Sequence, residues 1–178
     1  MAVHIPRNII SAVSDAEAEK LAELAEGKMV LELGSYLGFS TVVLAQRARL
    51  VHAVDWHQGD QHIGGQDTAA EFRENLRWNG LQEKVILHVG RFEDVVPAFR
   101  DHYFEFCFID GAHDRESVLR DAGLALRVVR HRGVLAFHDY GRDPREHEGF
   151  GVTEAVDQLA RKLRADLDVT DTLAVLRP

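Results

Sequence analysis

The residues of this chain best suited to chemistry fall in two short runs, Asp110-Gly111-Ala112-His113 and His138-Asp139. A carboxylate with an imidazole three residues on joins a fixed negative charge to a group that accepts a proton near neutral pH. Asp110 and His113 are therefore the candidate catalytic pair, with His113 as the general base. Asp110, His138 and Asp139 together offer an oxygen, nitrogen and oxygen ligand set compatible with Mg²⁺, Mn²⁺ or Fe²⁺. Adjacent strand residues point to opposite faces. Both runs follow apolar stretches, however, and where a chain turns at a strand's end two neighbours can converge on one ion.

A third run, Leu31-Glu32-Leu33-Gly34-Ser35-Tyr36-Leu37-Gly38, reads as a buried strand breaking into a glycine turn and then a helix. A dinucleotide site at such a point shows G-x-G-x-x-G, whose tight turn brings backbone N–H groups to a pyrophosphate. Here Glu32 stands where the first glycine would be, and a buried acid repels a pyrophosphate. The same acid suits a ligand with an ammonium and a sulfonium, and S-adenosylmethionine carries both. Gly34 and Gly38 still let the backbone approach a ligand closely. Asp55, about 20 residues after Gly34, can accept hydrogen bonds from two ribose hydroxyls. Since NAD has that ribose too, Asp55 supports an adenosine nucleoside without choosing between the two. Trp56 could pack on adenine, and Gly90, Arg91 and Phe92 border the adenine position in this layout.

These residues need a scaffold that gathers the ends of separate strands, and the hydrophobic pattern supplies one. Strands are expected over 29–33, 50–55, 85–89, 104–109 and 134–138, alternating with helices over 15–26, 40–47, 68–79, 93–100, 115–130 and 153–164. Two short strands, 166–170 and 173–176, end the chain. Ser14 with Glu17 three residues on has the spacing of a capping box for the first helix. The alternation, with strands too apolar to face water on either side, indicates a doubly wound α/β sheet. In such sheets ligands sit beyond the carboxyl ends of the strands. Glu32, Asp55, Arg91, Asp110 and His138-Asp139 all fall there.

The chain of 178 residues fits one domain, with no internal repeat or linker. A net charge of −8 argues against a nucleic-acid partner, which normally selects a basic face. The single cysteine, Cys107, lies in an apolar run, which favours a buried thiol in a reducing compartment. No apolar stretch approaches the about 20 residues of a membrane helix, and the first residues lack a signal-peptide layout. A cytoplasmic protein with no membrane partner is the expectation.

Taken together, these runs resemble the class I S-adenosylmethionine-dependent methyltransferases. More narrowly, the chain resembles the metal-dependent small-molecule O-methyltransferases of catechol, caffeoyl-CoA and antibiotic-sugar type. Leu31 through Ser40 is similar to that family's first motif, in which the positions of Glu32, Tyr36 and Ser40 line the methionine end of the cofactor. Asp55 matches the ribose-binding acid. Asp110 matches the acid facing both cofactor and metal, and His138-Asp139 fall on the other two metal positions. His113 falls where catechol-type enzymes carry a catalytic lysine, and His138 where the pattern more often has a carboxylate.

The resemblance implies a single Rossmann-like methyltransferase domain over residues 1–178, mostly parallel, with about seven strands and the last antiparallel. It implies methyl transfer to a hydroxyl of a small molecule, assisted by a divalent cation, Mg²⁺ or Mn²⁺. His57 and His62 then belong to a loop that closes over the cofactor, and are not ligands. The segment 141–149 is expected to form part of the acceptor pocket, with a homodimer partner helping to cover the site. A nicotinamide oxidoreductase would need glycine at position 32 and a hydride-transfer constellation. A nucleic-acid amino-methylating enzyme would need an N/D-P-P-aromatic run where Asp110-Gly111-Ala112-His113 stands. A non-catalytic cofactor-binding protein of the same fold would bind without turnover.

Overall fold

The computed structural model describes residues 2–59, 65–142 and 149–178. Helix α1, Asp15–Ala25, starts at a complete capping box: Ser14 Oγ accepts from the Glu17 N–H, and the Glu17 carboxylate accepts from the Ser14 N–H. Strand β1, Met29–Leu33, leads through the glycine turn into α2, Phe39–Arg47. There follow β2, Leu50–Asp55, α3, Ala69–Trp78, and β3, Val85–Val89. The expected helix over 93–100 is instead a short α4, Phe92–Val95, running into the 3₁₀ turn Val96–Ala98. Pro97 lacks the N–H needed to continue the ladder.

Strand β4 is Phe104–Ile109 and α5 is Arg115–Val128. Strand β5, Val129–Phe137, begins five residues earlier than expected, and α5 ends correspondingly sooner. The buried pairing of Val129 with Phe104, followed by a register shift, draws the chain into the sheet before the apolar run itself starts. Helix α6 is Val152–Leu163, and β6, Asp166–Thr170, and β7, Leu173–Arg177, form a terminal hairpin.

The seven strands make one sheet in the order β3-β2-β1-β4-β5-β7-β6. The first five are parallel, and β7 is antiparallel to both β5 and β6. Period-two alternation divides the core between two faces. Val30, Val51, Phe106 and Phe108 pack toward α1, α2 and α3, and Leu31, Leu33, Phe137 and Ile109 toward α4, α5 and α6. Each large apolar side chain fully buried there contributes about 1.5–3 kcal/mol. The expectation that strands avoid water on both faces holds for β1 but fails at the edges. Ile86 and Val89 of β3, and Leu167 and Val169 of β6, are exposed, because an edge strand has fewer elements to cover it.

The order reverses between β1 and β4, which places a crevice above their carboxyl ends. Gly34 fixes how close those ends come. Its φ is +92°, and a Cβ there would stand 2.0 Å from the Asp110 carbonyl oxygen. The glycine at this point is therefore demanded by strand-to-strand approach.

Candidate active site

A cavity of about 820 Å³ opens at the crevice and is lined from the ends of β1, β2, β4 and β5. Gly34, Tyr36, Ser40, Asp55, Trp56, Arg91 and Phe92 line it, as do Asp110, His113, His138 and Asp139. Among the described residues three expected members, Glu32, Gly38 and Gly90, are not on its wall. Gly38 packs under the Phe72 ring, and Glu32 is wholly buried beneath the floor. Glu32 Oε2 accepts a 2.5 Å hydrogen bond from Thr41 Oγ1, while Oε1 has no hydrogen-bond partner among the described residues. Burial pushes this carboxyl up to about 8, against the opposing hydrogen bonds of Ser40 and Thr41. The acid thus supports the turn from below.

Asp55, expected to accept from ribose hydroxyls, is held by backbone N–H groups. Its Oδ2 accepts from the N–H groups of Ser35, at 2.6 Å, and Tyr36, at 2.8 Å, and its Oδ1 from the His57 N–H at 2.7 Å. Ser35 Oγ adds a longer contact to Oδ2 at 3.4 Å, so the lone-pair site left for a ribose hydroxyl is on Oδ1, which accepts one bond. Just beyond, the Arg91 guanidinium lies 4.7 Å over the Trp56 ring, joining the two loops expected to border adenine. His57 is buried and bonds Thr68 Oγ1 through Nδ1 at 2.8 Å. His62 and residues 143–148 of the expected acceptor loop lie outside the described residues.

At the other end the β4 and β5 termini meet. Asp139 has φ +61°, and this left-handed turn brings its carboxylate back beside His138. Asp139 Oδ2 is 2.9 Å from His113 Nε2 and 3.4 Å from His138 Nδ1, and Oδ1 accepts from Arg142. His138 Nδ1 is also 3.4 Å from Asp110 Oδ1. Burial alone would raise the Asp139 carboxyl, but His113, His138 and Arg142 hold it far below its usual range. The His113 ring stacks on Phe150, with centroids 4.3 Å apart.

His113 comes to stand with Asp110 and Asp139, two of the three expected metal ligands. Ligand atoms of Asp110, His113 and Asp139 lie within 4.8 Å of one another. His138 also stands with the two aspartates, its Nδ1 3.4 Å from an oxygen of each, and acids flank its ring on both sides. Its Nε2 is 3.4 Å from Glu17 Oε2, and burial of the ring is outweighed by Asp110, Asp139 and Glu17, which push it up to about 12. Glu17 is the residue that sequence reasoning took for a helix cap alone. It is buried, held down to about 2 against the effect of burial by His138 and Thr172, and accepts from both the Thr172 N–H and Oγ1 at 2.7 Å. Also unforeseen on the cavity wall are Ile10, Ser11 and Ala12 of the N-terminal segment and Ser117, Arg120 and Asp121 of α5. Asp121 had a signal: it is an acid inside the apolar face formed by Val118, Ala122 and Ala125.

A family model described as a methyltransferase domain matches residues 31–140, from the glycine turn through the cluster at the end of β5. The chain belongs to this methyltransferase family. The methyltransferase domain is 32% identical over 122 residues to catechol O-methyltransferase B of Danio rerio, covering 64% of this chain and 39% of the relative. It is 30% identical over 135 residues to the catechol O-methyltransferase of Mycobacterium tuberculosis, covering 75% and 58%. The match therefore spans less than two thirds of either relative. In fold the domain resembles the O-methyltransferase TomG of Streptomyces achromogenes, solved in complex with SAM, with TM-score 0.70, 19% identity and coverage of 93% and 81%. An O-methyltransferase from Bacillus cereus in complex with SAH gives TM-score 0.68, 20% identity and coverage of 97% and 86%. The doubly wound sheet with its antiparallel last strand is the Rossmann-like methyltransferase fold. Among the described residues no helix is long and apolar enough to cross a membrane.

Proposed function

We propose that this methyltransferase domain transfers the methyl group of S-adenosylmethionine to a hydroxyl of a small molecule. The observation that carries the reading is one cavity with a nucleoside end and a reactive end. Asp55, Trp56 and Arg91 stand at the first, and Asp110, His113 and Asp139 at the second. Its volume of about 820 Å³ suits a small-molecule site. The catechol O-methyltransferases among the relatives support a hydroxyl acceptor. When bound, the cofactor would supply a sulfonium methyl, to which the acceptor oxygen would bond as the S–CH₃ bond breaks and S-adenosylhomocysteine leaves.

The chain's own residues position the two partners and take up the proton. Tyr36, on the turn, and Ser40, at the start of α2, face the methionine end, and Asp55 takes a ribose hydroxyl. The acceptor hydroxyl loses its proton to His113 at Nδ1, because Nε2 carries the N–H that donates to the ionised Asp139 carboxylate. Asp139 stays ionised and steadies the imidazolium that results. Asp110, Asp139 and His113 also fit a divalent cation, Mg²⁺ or Mn²⁺, as an oxygen, oxygen and nitrogen set. When bound, such an ion acidifies the hydroxyl, the task His113 otherwise performs as base. A reducing, cytoplasmic setting agrees with Cys107 being a buried free thiol.

Calorimetric titration with S-adenosylhomocysteine, with and without a chelator, tests the cofactor. Saturable micromolar binding is expected, and binding of NAD(P) in its place would overturn the reading. Transfer of labelled methyl to a panel of catechols and other hydroxylated acceptors tests the reaction, and binding with no turnover on any would leave a binding protein. His113→Ala should lower turnover about 10²- to 10⁴-fold and leave S-adenosylhomocysteine affinity unchanged. Equal loss of both would show His113 to be a structural residue.

A further inference from the structure

We propose that Glu17 of α1 is a positioning residue for the transfer reaction, holding His138 so that Asp139, and through it the base His113, keep their reactive arrangement. This rests on the reading of the cavity as a methyltransferase site.

Glu17 is a fixed point in the fold. Its side chain is 1% exposed, and Oε2 accepts from the Ser14 N–H while Oε1 accepts from the Thr172 N–H and Oγ1, all at 2.7 Å. Ser14 Oγ donates to Asp171 at 2.6 Å, so the start of α1 and the β6–β7 turn grip the carboxylate together. A helix cap needs only the bonds with Ser14 and works at a surface. Here the acid is carried inward, and its Oε2 lies 3.4 Å from Nε2 of the buried His138 ring. Among the described residues that line the cavity Glu17 has no place, so its route to the reaction runs through His138.

His138 passes the constraint forward. Its backbone N–H donates to the Ile109 carbonyl at 3.1 Å, which roots the residue at the end of β4. Its Nδ1 lies 3.4 Å from Asp110 Oδ1 and 3.4 Å from Asp139 Oδ2. Turning the ring by half a revolution would set Cδ2 against the aspartates and Cε1 against Glu17. Only the observed orientation gives both ring nitrogens a carboxylate, and Glu17 supplies the one behind. Asp139 Oδ2 is also the oxygen 2.9 Å from His113 Nε2. The carboxylate bonded to one imidazole nitrogen decides which nitrogen carries the proton. A ring at position 138 that swings away from Glu17 therefore disturbs the oxygen that orients the base.

The test compares Glu17→Gln, which keeps the shape of the side chain, with Ser14→Ala, which weakens the same helix start but leaves the Glu17 carboxylate in place. With catechol as acceptor, Glu17→Gln should lower kcat about 10- to 100-fold and leave the KM for S-adenosylmethionine unchanged. Ser14→Ala should melt at a lower temperature yet keep the wild-type kcat. In a His138→Gln background, Glu17→Gln should cost less than about twofold, because its effect passes through the missing ring. Ring-nitrogen NMR of ¹⁵N-histidine protein reads the same coupling without an acceptor, with His138 and His113 assigned from His138→Gln and His113→Ala. Glu17→Gln should move the signals of both rings, and Thr172→Val, which removes one donor from Glu17, should move them less; Ser14→Ala should move neither. Unmoved signals in Glu17→Gln and Thr172→Val, an equal loss of kcat in Ser14→Ala, or an undiminished loss without His138 overturns the assignment and leaves the methyltransferase reading standing. Failure of the wild type to bind S-adenosylhomocysteine overturns both.

Discussion

Glu32 shows how a single residue can be rightly singled out and wrongly placed. An acid at the end of β1 distinguishes this turn from a pyrophosphate site, yet its carboxyl lies beneath the cavity floor, bonded to Thr41. Its raised value makes a prediction with a definite sign. Between its ordinary 4.5 and about 8, the folded protein keeps a proton that the unfolded chain has lost. Stability from this group is therefore complete below about 4.5 and declines as pH rises toward 8. Glu32→Gln, of the same shape and without a titrating proton, should show a flatter dependence of urea-unfolding stability between about pH 5 and 8. An equal slope in wild type and variant would assign it to other groups.

Among the elements, α1 reaches furthest beyond its expected part. A capping box is a local device, but Glu17 uses the same carboxylate to accept from Ser14, from Thr172 in the β6–β7 turn, and to face His138. Ser14 Oγ also donates to Asp171 of that turn at 2.6 Å. The start of the first helix is thus fastened to the far hairpin and to the histidine behind the reactive cluster. Glu17→Ala should cost about 1–3 kcal/mol by removing a cap and leaving buried donors unmet. With its value near 2, Glu17 contributes stability that is present above about 4.5 and lost as pH falls through 2. Chemical denaturation of the variant should therefore show a smaller loss on acidification across that window than the wild type shows.

For the molecule as a whole, the cavity is open to ligand while the sheet beneath it is closely packed, so ligand binding is read out as added global stability. S-adenosylhomocysteine at 100 times its Kd should add about 2.7 kcal/mol, and a chain of this length should then melt about 5–10 °C higher. NAD at the same concentration should leave the melting temperature unchanged. A shift with NAD and none with S-adenosylhomocysteine would reverse the cofactor assignment.

Local patterning was enough to fix the strands β1 to β4 to the residue, the capped start of α1 and the glycine turn, because apolar periodicity and turn chemistry act within a few residues of the chain. It also marked Asp55, Asp110, His113 and Asp139, because the carboxyl ends of parallel strands are where such a sheet exposes polar groups. It could not assign partners across the fold. That His138 meets a third acid behind the two aspartates depends on Glu17, which lies more than a hundred residues earlier in the chain and reaches His138 only once α1 packs against the sheet. The early start of β5 depends on Phe104 as a neighbour, and the exposure of β3 and β6 on their edge positions. Burial and charge pairing are sums over neighbours distant in sequence, and only tertiary structure decides which neighbours those are.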